Sequence, residues 1–253
     1  FHHAGGVPKL MKQLGDLIDL DAKPIAGGTL RDVVANEEEV PGQDAIRPRD
    51  NPINREGAMA VLHGNLAPRG AVIKQSAATP SLLQHTGRAV VFESVEDMTL
   101  RVDDPELDVK ADDVLVLRNA GPKGAPGMPE AGYLPIPQKI LRTGVKDMVR
   151  ISDARMSGTA FGTIVLHITP ESAVGGPLAL VQTGDMIRLD VAKRRIDLLV
   201  DEVELTMRQK ALPKPSTPDW ASRGYAHLFH ETITQADEGC DFDFMRREGP
   251  GEV

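Results

Sequence analysis

One cysteine, one tryptophan and two tyrosines are all that 253 residues hold of those three side chains. With Cys240 alone, an internal disulfide is excluded, and so is any thiolate cluster built from this chain by itself. Long apolar runs are missing too. No stretch approaches the roughly 18 to 20 residues that a membrane-spanning helix needs, and no segment has the basic, apolar and small-residue layout of a signal peptide. A cytoplasmic setting without membrane partners is therefore expected. Positive charge is in short supply: 29 Lys and Arg are scattered among 37 Asp and Glu, for a net charge of −8. Counterion release on nucleic acid requires a clustered basic face, so small molecules are the expected ligands. Internal repeats and low-complexity tracts are absent. The chain opens "FHHAGG" without a methionine, which is the expected look of a fragment end. His2 and His3, being adjacent, share no helical or strand face and make a poor metal pair.

What is present is enough apolar material, 41%, to build a core. In "VPKLMKQLGDLIDLDA", Val7, Leu10, Met11, Leu14, Leu17 and Ile18 share one helical face, with Pro8 suited to the first turn. Residues 36–57, "NEEEVPGQDAIRPRDNPINREG", are polar and proline-bearing with little periodicity, as expected of a linker. From residue 58 the texture changes to short β-branched runs separated by turns: "RAVVFES", "DDVLVLRN", "DMVRISD" and "GTIVLHITP". In "LALVQTGDMIRLDVAKRRIDLLV", Ile187, Leu189 and Val191 alternate with Arg188 and Asp190 before "AKRR" turns the chain back, a hairpin pattern. Helical pieces are fewer: "TPSLLQHTG", "PIPQKILRTG" with a glycine stop, and "DEVELTMRQKAL". The predicted fold is α+β and mainly β, a β-barrel flanked by helices.

Three glycine-bearing loops fall at predicted strand ends: "HGNLAPRGA" (63–71), "GPKGAPGMPEAG" (121–132) and "SDARMSGTAFG" (152–162). Glycine lets backbone approach a ligand closely. The second resembles a phosphate cradle but lacks the Gly-Lys-Ser/Thr ending of one. The third exposes Ser157 without G-x-S-x-G or visible triad partners, which argues against a serine hydrolase. Residue by residue the plain readings stand: a turn or cap serine at Ser157, a solvated acid at Glu130, a hydrogen-bonded core histidine at His167 and a small, partly buried side chain at Cys240.

Taken together, "LHGNLAPRGAVIKQSA", "LVLRNAGPKGAPGMPEAG", "RISDARMSGTAFGTIVLHITPESAVGGPLALVQTGDMIRLDV" and "RGYAHLFHETITQADEGCDFDF" resemble the C-terminal half of the dehydratase family that includes dihydroxy-acid, 6-phosphogluconate and sugar-acid dehydratases. The resemblance covers nearly the whole chain. "MPEAGYLPIP" and "SDARMSGTAFG" are more similar to the aldonate branch, of L-arabinonate or D-xylonate type, than to the branched-chain amino-acid enzyme.

The resemblance implies a swivelling β-barrel domain over residues 53–253 with a C-terminal tail. Residues 1–52 would be the end of an N-terminal α/β domain plus a linker. It implies loss of water from a 2,3-dihydroxy acid to give a 2-keto-3-deoxy acid, with Mg²⁺ and an iron-sulfur cluster of the 2Fe-2S type as Lewis acids. Ser157, as an alkoxide, would be the base at C2, Thr159 would contact substrate or serine, and Glu130 would be one Mg²⁺ ligand. The cluster cysteines and the other Mg²⁺ ligands belong to the family's N-terminal domain, and one thiol cannot replace them. The chain alone is thus expected to be inactive, partnered by its own N-terminal domain and assembled as a homodimer or homotetramer. Two alternatives stay open: the branched-chain dihydroxy-acid enzyme, or a non-catalytic binding or assembly module that keeps the barrel. Trp220, Tyr225 and Phe229 could pack across a subunit boundary or on their own barrel.

Overall fold

A computed structural model of the chain describes residues 1–125, 127, 134–155, 157 and 161–246. Glu130 and Thr159 lie outside the described residues; Ser157 is among them.

Two compact units divide the chain, Phe1–Gly57 and Ala58–Val253. In the first, α1 (Gly6–Leu14) stops at Gly15, whose positive φ of 53° breaks the helix before Leu17 and Ile18 can join the predicted apolar face. Val7, Leu10 and Leu17 are exposed, and the buried long side chain is Lys9, paired with Glu39. The short α2 (Leu30–Ala35) starts at a reciprocal cap between Thr29 and Asp32.

In the second unit the strands are β1 (Ala60–Leu62), β2 (Gly70–Ile73), β3 (Gln84–Phe92), β4 (Val114–Leu117), β5 (Arg150–Ser152), β6 (Ile164–Thr169), β7 (Met186–Asp190) and β8 (Arg195–Leu198). Among the described residues they form one sheet ordered β1-β2-β6-β5-β4-β3-β7-β8. The β3-β4, β4-β5 and β5-β6 pairs are parallel and the others antiparallel. The sheet curls until its edges meet. His63 N–H donates to Arg194 O at 2.9 Å, and Ile196 N–H donates to His63 O at 3.0 Å. Gly64 makes this contact possible, because a Cβ there would sit 1.8 Å from the Ile196 carbonyl oxygen. The result is the nearly closed mixed barrel, flanked by helices, that the sequence predicts.

The run "VLVL" of β4 illustrates why the central strands are apolar on both faces. Val114 and Val116 point into the barrel with Ala89, Val91, Ile151 and Val165. Leu115 and Leu117 point outward with Phe92, Ile140, Met148 and Leu166. That outer layer is covered by α3 (Val95–Arg101) and α4 (Gln138–Leu141). The predicted hairpin is β7-β8, turned at Arg194 with φ 56°, with Ile187 and Leu189 buried and Met186 and Arg188 exposed.

One expected helix is a short turn that runs into a strand. "TPSLLQHTG" makes only a 3-10 turn at Pro80–Leu82, and Gln84 already opens β3. Its glycine, Gly87, lies inside β3 where a Cβ would meet the Asp112 carbonyl at 2.2 Å. Pairing with β7 overrides local helix propensity here. α3 was signalled by Ser94, whose hydroxyl caps Asp97 N–H, a Ser-x-x-Asp start that composition alone does not reveal. "DEVELTMRQKAL" forms α5 (Glu202–Ala211), capped by Asp201. The tail forms α6 (Gly224–Thr232), and its Tyr225 and Phe229 meet Phe242 edge-on within this chain.

Candidate active-site segments

β4, β5 and β6 run parallel, so their carboxyl ends share one edge of the sheet, the edge where parallel α/β proteins place ligands. The segment carrying Glu130 leaves after β4 and the one carrying Ser157 leaves after β5. Ser157 is half-buried and outside regular structure.

Two buried carboxylates hold the departing ends. Asp153, the residue after β5, accepts from Ala120 N–H at 2.9 Å and from Ser172 N–H at 2.8 Å. It thereby joins the chain beyond β4 to the chain beyond β6. Glu171 accepts from Lys123 N–H at 3.0 Å, Gly124 N–H at 2.9 Å and Gln235 Nε2 at 2.6 Å. The glycine-rich "GPKG" turn is therefore a backbone nest, but its anion is the protein's own carboxylate rather than a phosphate. Its glycines are required by contact: a Cβ at Gly121 would lie 2.5 Å from Glu171 Oε2, and one at Gly124 2.7 Å from Asn119 backbone. Burial pushes both acids above the usual carboxylate range, and the N–H donors oppose it. In Glu171 the neighbouring Asp153 charge adds to the rise.

A second knot holds the returning ends. Asp147 Oδ2 accepts from the hydroxyls of Thr79 at 2.7 Å and Thr163 at 2.8 Å, while Oδ1 accepts from Met148 N–H at 2.9 Å and Arg150 Nη2 at 3.0 Å. Burial would raise the Asp147 carboxyl, yet these hydroxyls, the Thr163 N–H and the Arg150 charge together hold it below its ordinary value. Burial also pulls the Arg150 guanidinium down, with Asp147 opposing.

His167 sits at a bulge in β6, with a left-handed φ of 55°. Its N–H donates to Ala154 O at 2.9 Å, another tie to the start of the Ser157 segment. Burial and the Arg155 charge lower the imidazole pKa. A cavity of about 420 Å³ opens beside the nest, lined in part by Glu93, Arg118, Lys123, Ser172, Lys214 and His230.

Among the described residues no group of three or more His, Cys, Asp or Glu could hold a metal ion. Cys240 is half-buried, and burial with the nearby Glu171 and Asp237 charges keeps its thiol protonated. Neither a cluster nor a complete Mg²⁺ site is thus assembled by these residues. Asp147, Arg150, Asp153 and Glu171 were not singled out by sequence reasoning. The available signal was charge inside apolar strand runs, "KDMVRISD" and "LHITPE".

The second unit is thus a mixed barrel in which buried charges fasten the ends of the two segments that follow β4 and β5. The chain belongs to the family described as dihydroxy-acid/6-phosphogluconate dehydratase C-terminal, whose model matches residues 44–240. It is 48% identical over 254 residues to an L-arabonate dehydratase of Azospirillum brasilense, covering 97% of this chain and 43% of that protein. Against a 6-deoxy-6-sulfo-D-gluconate dehydratase of Pseudomonas putida it is 47% identical over 250 residues, 97% of this chain and 42% of the relative. A dihydroxy-acid dehydratase of Carboxydothermus hydrogenoformans is 40% identical over 251 residues, 95% of this chain and 43% of the relative. The chain thus spans less than half the length of these relatives.

Proposed function

We propose that the chain is the C-terminal portion of a sugar-acid dehydratase that converts a 2,3-dihydroxy acid to a 2-keto-3-deoxy acid. The observation that carries this reading is the graded similarity: relatives named for sugar acids are 47 to 48% identical, and those named for dihydroxy acids 40 to 41%. Residues 53–253 would be the swivelling barrel domain and residues 1–52 the end of an α/β domain and its linker. The complete enzyme would work in the cytoplasm as a homodimer or homotetramer.

In this reading Ser157 removes the C2 proton and Thr159 orients substrate or serine. A serine hydroxyl is a weak base, so its pKa must be lowered by adjacent positive charge. Glu130 would give Mg²⁺ one oxygen ligand, and the remaining ligands and the 2Fe-2S cluster would be held by the N-terminal domain. When bound, such ions supply Lewis acidity toward the substrate's oxygens. What this chain contributes is the base and rigid fastening of the segments that present it. The chain alone would not turn over substrate.

The test is keto-acid formation by the complete enzyme on L-arabinonate, D-xylonate, 6-deoxy-6-sulfo-D-gluconate and a branched 2,3-dihydroxy acid. Turnover of one or more sugar acids with little on the branched acid is expected. Turnover confined to the branched acid would transfer the chain to the amino-acid branch. No turnover of any, with metals bound, would favour a non-catalytic module.

A further inference from the structure

Arg150 stands at the start of β5 inside the protein, 7% exposed. Nη1 donates to Leu134 O at 3.1 Å, and Nη2 donates to Phe161 O at 3.1 Å and Asp147 Oδ1 at 3.0 Å. Leu134 lies four residues beyond Glu130 and Phe161 four beyond Ser157. One planar guanidinium therefore joins the returning ends of both crossovers. A lysine ammonium, a compact point charge on a flexible stem, could not span the two carbonyls in this fixed geometry. Space is reserved for it as well. Gly162 has φ 106°, and a Cβ there would lie 2.0 Å from Arg150 Nη2. The arrangement is costly, since a buried ion pair of this kind is often replaced by apolar side chains without loss of stability.

We infer that Arg150 is a positioning residue for the dehydration, tying Leu134, where the chain returns after the Glu130 segment, to Phe161, where it returns after the Ser157 segment. The inference rests on the roles proposed above for Ser157 and Glu130. Its chemical warrant is that a displacement of about 1 Å at reacting groups costs on the order of 100-fold in rate.

The test uses the complete enzyme carrying Arg150→Lys, with Asp147→Asn and Gly162→Ala as independent perturbations of the same knot. In Arg150→Lys, kcat should fall about 10- to 100-fold while KM stays within about twofold. Amide exchange measured by mass spectrometry should quicken roughly tenfold both at Leu134 and Ile136 and at 161–163. Gly162→Ala, whose Cβ would press on both Arg150 Nη2 and Asp147 Oδ1, should quicken exchange at 134–136 as well, although that stretch is distant in sequence. Exchange that changes at one end only, or full kcat with both ends loosened, overturns the inference. If Arg150→Lys does not fold, the Asp147→Asn and Gly162→Ala exchange patterns decide the matter. The underlying reading is judged separately by Ser157→Ala and Glu130→Gln. Normal turnover in those variants sinks the proposed site, whereas their inactivity beside a fully active Arg150→Lys sinks the positioning role alone.

Discussion

Asp147 gives a prediction whose size can be worked from its contacts. All its partners are donors: two hydroxyls, two backbone N–H groups and the Arg150 guanidinium. Replacing it by leucine strands the guanidinium in a buried site, and breaking a buried pair from one side costs about 3 to 5 kcal/mol. Asparagine should be milder. With its oxygen kept toward Arg150 and Met148, its amide NH₂ faces the Thr79 and Thr163 hydroxyls, which can rotate to accept, and also the Thr163 N–H, a fixed donor now 2.9 Å from another donor. The loss is then charge assistance on a few bonds plus that backbone bond, about 2 to 3 kcal/mol. Against a typical domain stability of about 5 to 15 kcal/mol, both should fold, with Asp147→Leu clearly weaker. Urea unfolding followed by circular dichroism measures the two differences. The reasoning is refuted if Asp147→Leu lies within about 1 kcal/mol of the parent, or if asparagine is worse than leucine.

Other outcomes follow from the same contacts. Gly64→Ala should destabilise the barrel by about 2 to 4 kcal/mol, because the new Cβ displaces Ile196 and the closing hydrogen bonds with it; unfolding midpoints would check this. Glu171 has a raised folded pKa, so the folded state holds its proton more tightly than the unfolded chain does. Its contribution to stability should therefore improve as pH falls from the raised value toward its ordinary 4.5, and the gap between parent and Glu171→Gln should change in that window. Asp147, with a depressed pKa, behaves oppositely. Its contribution is present above 3.8 and lost as pH falls through the lower folded value. Cys240, with its thiol pKa raised, should alkylate more slowly at pH 7 in the folded protein than after denaturation.

The barrel was legible because its strands obey local rules. "MIRLD" alternates and "VLVL" is apolar on both faces, whereas the helix that Ser94 caps was not expected from the sequence. "TPSLLQHTG" misled because Gly87 answers to a contact with the Asp112 carbonyl, far along the chain but adjacent in space. The candidate site residues came from another source. Ser157, Thr159 and Glu130 stood out through resemblance to a family, while Asp147, Arg150, Asp153 and Glu171 look like ordinary surface charges in a linear sequence. Only the fold brings Glu171 to the amides of Lys123 and Gly124, 48 and 47 residues away. Likewise, only the parallel crossovers bring Leu134 O and Phe161 O to one guanidinium. Long-range satisfaction of buried charge has no short-range signature.

The most direct test of the central claim is Ser157→Ala in the complete enzyme, measured for keto-acid formation with iron and magnesium content determined on the same sample. The account predicts metals at parental levels and turnover lost by at least about 100-fold, the low end for removing a general base. Parental turnover with metals retained would contradict it and take the base role away from Ser157.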